Sequence, residues 1–279
     1  MLFRSADPVL RHKAPYLNVP FFLARAVGYF VTWIVISRAL LRWSDAQDTT
    51  TDVQPTERLE LISRGGLLLL GLTMTFASID WMMSLEPHWS STIYGIIFMG
   101  GTALTALAFG IVFAALARPG TRLPDAVSAG QFHDLGKLLL AFTMLWAYFN
   151  FSQFLIVWSG NLPEEIPWYL VRTTGGWRAI TVGIIVFHFA LPFVILLSRR
   201  LKRNPVALGA VAGVFLLVRY LDVYWLLVPA FGRGAAPHWL DAATFLAIGG
   251  TFVALAVRAL AGRPLLPLHD PSLPLEEVA

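Results

Sequence analysis

The sequence predicts an all-α, polytopic transmembrane helix bundle of about seven spans, and three observations carry that prediction. Hydrophobic residues make up 57% of the chain and charged residues 14%, whereas soluble domains carry roughly a quarter charged. The apolar residues come in windows of roughly 20, the length that crosses about 30 Å of hydrocarbon. Those windows are continuously apolar, unlike the alternating segments of about ten residues from which a membrane β-barrel is built.

The windows fall at about 17–43, 59–85, 91–117, 135–159, 177–197, 206–231 and 240–261, leaving an external segment 1–16 and a tail 262–279. Sorting the 21 Lys and Arg residues by side sets the expected orientation. Arg38, Arg42, Arg58, Arg64, Arg118, Arg122, Lys137, Arg199, Arg200, Lys202, Arg203, Arg258 and Arg263 share one side. Arg4, Arg11, Lys13, Arg172, Arg178 and Arg233 share the other, and Arg25 and Arg219 lie inside spans. The positive-inside rule places the richer side, and the C-terminus, in the cytoplasm, with the N-terminus outside. Loop charges of this kind reflect topology, so no nucleic-acid partner is expected and membrane lipid is.

The chain has no cysteine. That excludes a cysteine-ligated iron–sulfur cluster, a covalently attached c-type haem and an internal disulfide. Of the six His residues, His188 alone lies well inside a span, so a bis-histidine haem is not expected either. No cofactor or metal is expected on this chain. No phosphate loop, metal-ligand spacing or nucleophile triad appears, and no catalytic residue is assigned.

Taken in order, segment 1–16 has the basic run Arg11-His12-Lys13 without the apolar core or cleavage site of a signal peptide. The first span carries Arg25, deep enough to need a partner or to snorkel outward. Loop 45–58 is polar and ends at Pro55-Thr56, where a helix cap is expected. The second span ends in Thr75–His88, TFASIDWMMSLEPH, an apolar helix bearing the carboxylate Asp80 that spills into Glu86-Pro87-His88. Trp81 and Trp89 sit where interfacial aromatics sit. The third span is rich in Gly and Ala and reads as a packing helix.

The fourth span opens with His133, Asp134 and Lys137 near the cytoplasmic surface. Trp146, Asn150 and Gln153 follow at helical spacing on one face, as interhelical hydrogen-bonding groups or as a site wall. Segment 160–176, with two prolines, paired acids and three aromatics, reads as an ordered interfacial loop. The fifth span holds His188 near the midplane, and Pro192 four residues on disrupts the helix at that point. His188 is read as a packing residue or as a proton relay. The sixth span carries a Gly209/Gly213 pair and then Arg219 and Asp222 on one face. The seventh span and the tail carry no site signal.

Counting from the loops, Arg25, Asp80, Asn150, Gln153, Arg219 and Asp222 share the outer third of the membrane. Their two Arg and two Asp balance, and an unpaired charge there costs about 2.5–3.5 kcal/mol, so pairing across helices is expected. The cluster is either a structural polar knot or the wall of a site handling protons and a quinone-like ring. His188, then Lys137, His133 and Asp134, would extend a proton path inward.

Three stretches carry a resemblance to a known family. SIDWMMSLEPHWSSTIYG (78–95), DLGKLLLAFTMLWAYFNFSQFLIVWSGNLPEEIPWY (134–169) and Pro267-Leu268-His269-Asp270-Pro271 resemble the F subunit of alternative complex III, a bacterial quinol:cytochrome c oxidoreductase. That family belongs to the polysulfide-reductase membrane-subunit (NrfD-like) superfamily. Its members are longer and have ten spans, so the resemblance implies that this chain is a C-terminal part. It implies a cofactor-free subunit of a respiratory complex in the bacterial inner membrane, with menaquinone or ubiquinone in the complex. The implied partners are a paralogous NrfD-like subunit and extracytoplasmic iron–sulfur and c-type cytochrome subunits, which the chain would anchor. A proton-conducting role is implied for the family. Inside the matched motifs lie Asp80, Glu86, His88, Asp134 and Lys137, with Glu86 and His88 expected at the surface beneath a docked partner. A quinone-binding catalytic subunit and, less favoured, a secondary transporter are the alternative expectations; no inverted repeat supports the latter.

Overall fold

The computed structural model describes residues 8–116, 127–261 and 269. Residues 1–7, most of loop 118–131 and nearly all of the tail lie outside the described residues. The same holds for Arg4, Arg118, Arg122, Arg263 and all but His269 of the Pro267–Pro271 motif.

Among the described residues seven helices are long and apolar enough to cross a membrane: Val19–Gln47, Gln54–Leu85, Tyr94–Leu116, Ala129–Gly160, Trp177–Leu196, Pro205–Phe231 and Trp239–Leu260. Among the described residues there is no strand, and the chain is an all-α polytopic membrane bundle. In chain order the helices are α1 (Pro8–Lys13), α2 (Val19–Gln47), α3 (Gln54–Trp81), α4 (Tyr94–Leu116), α5 (Ala129–Gly160) and α6 (Ile166–Thr173). They continue with α7 (Trp177–Ile184), a π-helical segment (Ile185–Ala190), α8 (Leu191–Leu196), α9 (Arg199–Lys202), α10 (Pro205–Leu227) and α11 (Trp239–Leu260). Short 3-10 turns follow α3 at Met83–Leu85 and α10 at Val228–Phe231.

The helix ends follow local chemistry. Asn18 caps α2 by accepting from the Phe21 amide at 2.9 Å, with Pro20 in the first turn where its missing N–H costs nothing. Ser128 and Gln131 form a reciprocal capping box that starts α5 six residues before the apolar window, so His133, Asp134 and Lys137 are helical. At its other end Asn161 takes the left-handed conformation, φ 50°, and closes the helix. Asn204 accepts from Val206 and Ala207 to open α10.

The loop after α2 is shorter than expected, because α2 runs to Gln47 and α3 begins at Gln54. Thr56 does not cap α3; its hydroxyl donates to Gln47 Oε1 at 2.8 Å. Gln47 is buried and donates to the carbonyls of Thr50, Asp52 and His269, which organises the turn. Segment 160–176 contains α6, begun by Pro167. The expected disturbance at His188 is present as the π-helical segment, which ends two residues before Pro192 and absorbs the backbone displaced by the proline ring.

Helix α4 sits centrally, packed against α3, α5 and α10. Close approach is obtained by glycine: a Cβ on Gly95 would stand 2.5 Å from Thr75 Cγ2 on α3, and one on Gly209 of α10 would stand 2.7 Å from Ala115 Cβ on α4. The second member of the GxxxG pair, Gly213, has no neighbour within 4 Å, so close packing there rests on Gly209 alone. Helix α2 packs on α3, while the α7–π–α8 rod packs on α5 and α10. Helix α11 has no buried residue and meets the bundle through Tyr220–Phe245 and Phe109–Phe252 ring contacts.

Candidate functional site

The intramembrane charges form two separate pairs. Arg25 on α2 grips Asp80 on α3 in a two-pronged pair, Nε to Oδ2 at 2.8 Å and Nη2 to Oδ1 at 2.9 Å. Tyr29 donates its hydroxyl to the same carboxylate at 2.7 Å. The guanidinium also donates to the Tyr16 carbonyl and lies 3.8 Å from the Tyr16 ring centre. Arg25 is thus held in place by a partner and does not snorkel. Outside the span, burial and then the Asp80 carboxylate push the Tyr16 phenol up to about 12.

The second pair lies within α10, where Arg219 donates to Asp222 one helical turn on. Trp146 on α5 donates its indole N–H to the same carboxylate at 3.3 Å. The expected single knot of four charges is therefore corrected. Asp80 takes its side-chain partners from α2, and Asp222 takes its partners from α5 and α10. Gln153 is buried and accepts from Ser91 at 2.5 Å, whereas Asn150 is half-buried and bonds back to the Trp146 carbonyl. Trp146 therefore bridges α5 to α10, and Gln153 ties α5 to the connection between α3 and α4.

His188 is fully buried, its ring 4.1 Å from the Trp146 ring centre and 5.5 Å from that of Phe215. Neither ring nitrogen has a hydrogen-bond partner. Asp134 and Lys137 pair with each other at 2.8 Å on the exposed surface, with His133 at 3.7 Å from Asp134.

Glu86 differs from expectation. It is partly buried and bound by Arg172, Nη2 to Oε2 at 2.7 Å. Arg172 is 0% exposed and also donates to the carbonyls of Trp168, Trp225 and Leu226, with its guanidinium 3.8 Å from the Trp168 ring centre. Burial lowers its pKa and the Glu86 carboxylate opposes that shift. Sequence reasoning had counted Arg172 as a loop charge. Its only signal was its place among aromatics in a proline-started helix. His88 is exposed, as expected.

A cavity of about 710 Å³ opens between α5, α6, α7 and α10 beside the Asp222 pair. Tyr148, Phe151, Phe154, Tyr169, Ile185 and Phe189 give it apolar walls. Asp222, Asn150, Thr173 and Thr181 are its polar members. Among the described residues no group of three or more His, Cys, Asp or Glu is gathered where it could hold a metal ion.

No family model matches the chain. A stretch of 128 residues is 31% identical to a protoheme IX farnesyltransferase of Mycolicibacterium vanbaalenii, covering 41% of this chain and 41% of that protein. The chain thus spans about two fifths of the length of the curated relative it matches. This likeness overturns the expectation of a membrane subunit in a quinol-oxidising respiratory complex, because it points to an enzyme named for handling a farnesyl group. The structure also gives the motif residues work within the chain. Asp80 fastens α2 to α3, Glu86 is taken up by Arg172, and Asp134 is neutralised by Lys137.

Proposed function

We propose that this multi-pass membrane protein binds a lipid-soluble molecule bearing an isoprenoid chain, in the cavity between α5, α6, α7 and α10. The observation that carries the reading is the cavity itself. Its volume of about 710 Å³ falls in the range of small-molecule sites, roughly 300–1,000 Å³, and its walls are aromatic and aliphatic around a few polar groups. A branched hydrocarbon chain fits such walls, where each buried methylene contributes about 0.8 kcal/mol. Asp222, held by Arg219 and Trp146, offers a fixed acceptor to a hydroxyl at the polar end of the ligand. The farnesyl group in the name of the relative supports an isoprenoid over other lipids. The uneven distribution of Lys and Arg supports an orientation with the N-terminus outside, and the bacterial organism of the relative supports a bacterial cytoplasmic membrane.

Thermal unfolding of the purified chain in mild detergent tests this with farnesol as the probe. Farnesol should stabilise saturably, by about 2.7 kcal/mol at a hundred times its dissociation constant. Ala147→Phe, which fills the cavity, should abolish the effect. A shift that is absent, or equal in Ala147→Phe, contradicts the reading.

A further inference from the structure

A second cavity, of about 620 Å³, lies between α1, the start of α2 and the end of α3, away from the isoprenoid site. Its walls are apolar, including Leu10, Leu17, Phe22, Leu23 and Trp81, and Arg11 stands among them. Arg11 is exposed, and its side chain makes no ion pair or hydrogen bond among the described residues. The neighbouring Lys13 spans the gap to the α3–α4 connection by donating to the Pro87 carbonyl at 2.6 Å, which pins α1 over the cavity.

The charge around this cavity is one-sided. Helix α1 contributes Arg11, His12 and Lys13 and no acid in its first turn. The one carboxylate in the lining, Asp80, is already neutralised by the two-pronged Arg25 pair and the Tyr29 hydroxyl. An occupant must therefore be apolar over most of its length and anionic at the end near α1. The cavity is lined by the first residues of α2, and for a helix that crosses the membrane from Val19 that position corresponds to headgroup depth. We propose that this cavity binds one anionic phospholipid, its phosphate at Arg11 and an acyl chain against Leu17, Phe22 and Trp81. Charge complementarity at headgroup depth selects it over a zwitterionic lipid.

Native mass spectrometry of the full chain in mild detergent, titrated with phosphatidylglycerol or phosphatidylcholine of matched chains, tests the proposal. Phosphatidylglycerol should bind more tightly, and Arg11→Gln should weaken it about five-fold, towards the phosphatidylcholine value. Leu17→Trp should weaken both lipids by filling the cavity. Arg64→Gln, at an exposed residue paired with Glu60, should leave binding unchanged. Equal binding of the two lipids, no effect of Arg11→Gln, or an equal loss in Arg64→Gln would each overturn the proposal. Competition by soluble glycerol phosphate as effective as the lipid would assign the site to a free phosphate and overturn it as well.

Discussion

The guanidinium of Arg219 on α10 occupies the space where a side chain at Gly101 on α4 would begin. A Cβ built at Gly101 overlaps Arg219 Cζ and Nη1, so the absence of a side chain on one helix makes room for the charge on the other. That charge sets Asp222, the acceptor at the edge of the isoprenoid cavity.

Gly101→Ala should therefore displace Arg219 and destabilise the bundle by about 1–3 kcal/mol, the usual cost of overpacking. Gly213→Ala, with no neighbour within 4 Å, is the control and should change stability little. Unfolding in detergent mixtures measures both. Equal effects would show that the Gly101 contact is not specific.

Asp80→Asn should cost about 3–5 kcal/mol, because Arg25 is left charged and unpaired where two bonds had held it. Adding Arg25→Leu should recover part of that loss. A double-mutant cycle in the same unfolding assay reads the coupling between the two residues.

Arg172→Lys should behave almost as badly as Arg172→Ala. The arginine fork reaches Glu86 and three carbonyls at once, and a single ammonium cannot reproduce that geometry. The expected loss is about 3 kcal/mol or more, together with loosening of α6 visible in hydrogen exchange.

His188→Leu should be neutral or stabilising, by up to about 2 kcal/mol. Both ring nitrogens are buried without partners, so an apolar replacement of similar volume removes a desolvation cost and breaks no bond. A clear destabilisation in the unfolding assay would mean that the imidazole has a partner in the membrane.

The seven spans were legible because continuous apolar runs leave little freedom, and each observed spanning helix overlaps one predicted window. The extensions of α2 and α5 beyond those windows were not, since they depend on Gln47 and on the Ser128–Gln131 box, polar residues that a hydropathy window ignores. Spacing on one helix face brings Arg219 to Asp222, whereas depth counting predicts pairing across helices, which holds for Arg25 with Asp80 but not for this same-helix pair. Depth counting could not assign Arg25 to Asp80 in particular, because depth carries no information on which helices are neighbours. Arg172 stayed hidden for a related reason: its burial depends on α6 packing against the end of α10 at Trp225 and Leu226. The cavity beside Asp222 is assembled from α5, α6 and α7 closing against the more distant α10, and no local pattern announces it.

Photo-crosslinking with a diazirine-bearing farnesol analogue tests the isoprenoid site most directly. The account predicts labelled peptides from α5 between Met144 and Phe154 and from the segment holding Ile185 and Phe189, with labelling suppressed by unlabelled farnesol and lost in Ala147→Phe. Labelling spread evenly over the lipid-facing helices, α11 included, and indifferent to Ala147→Phe, would contradict it.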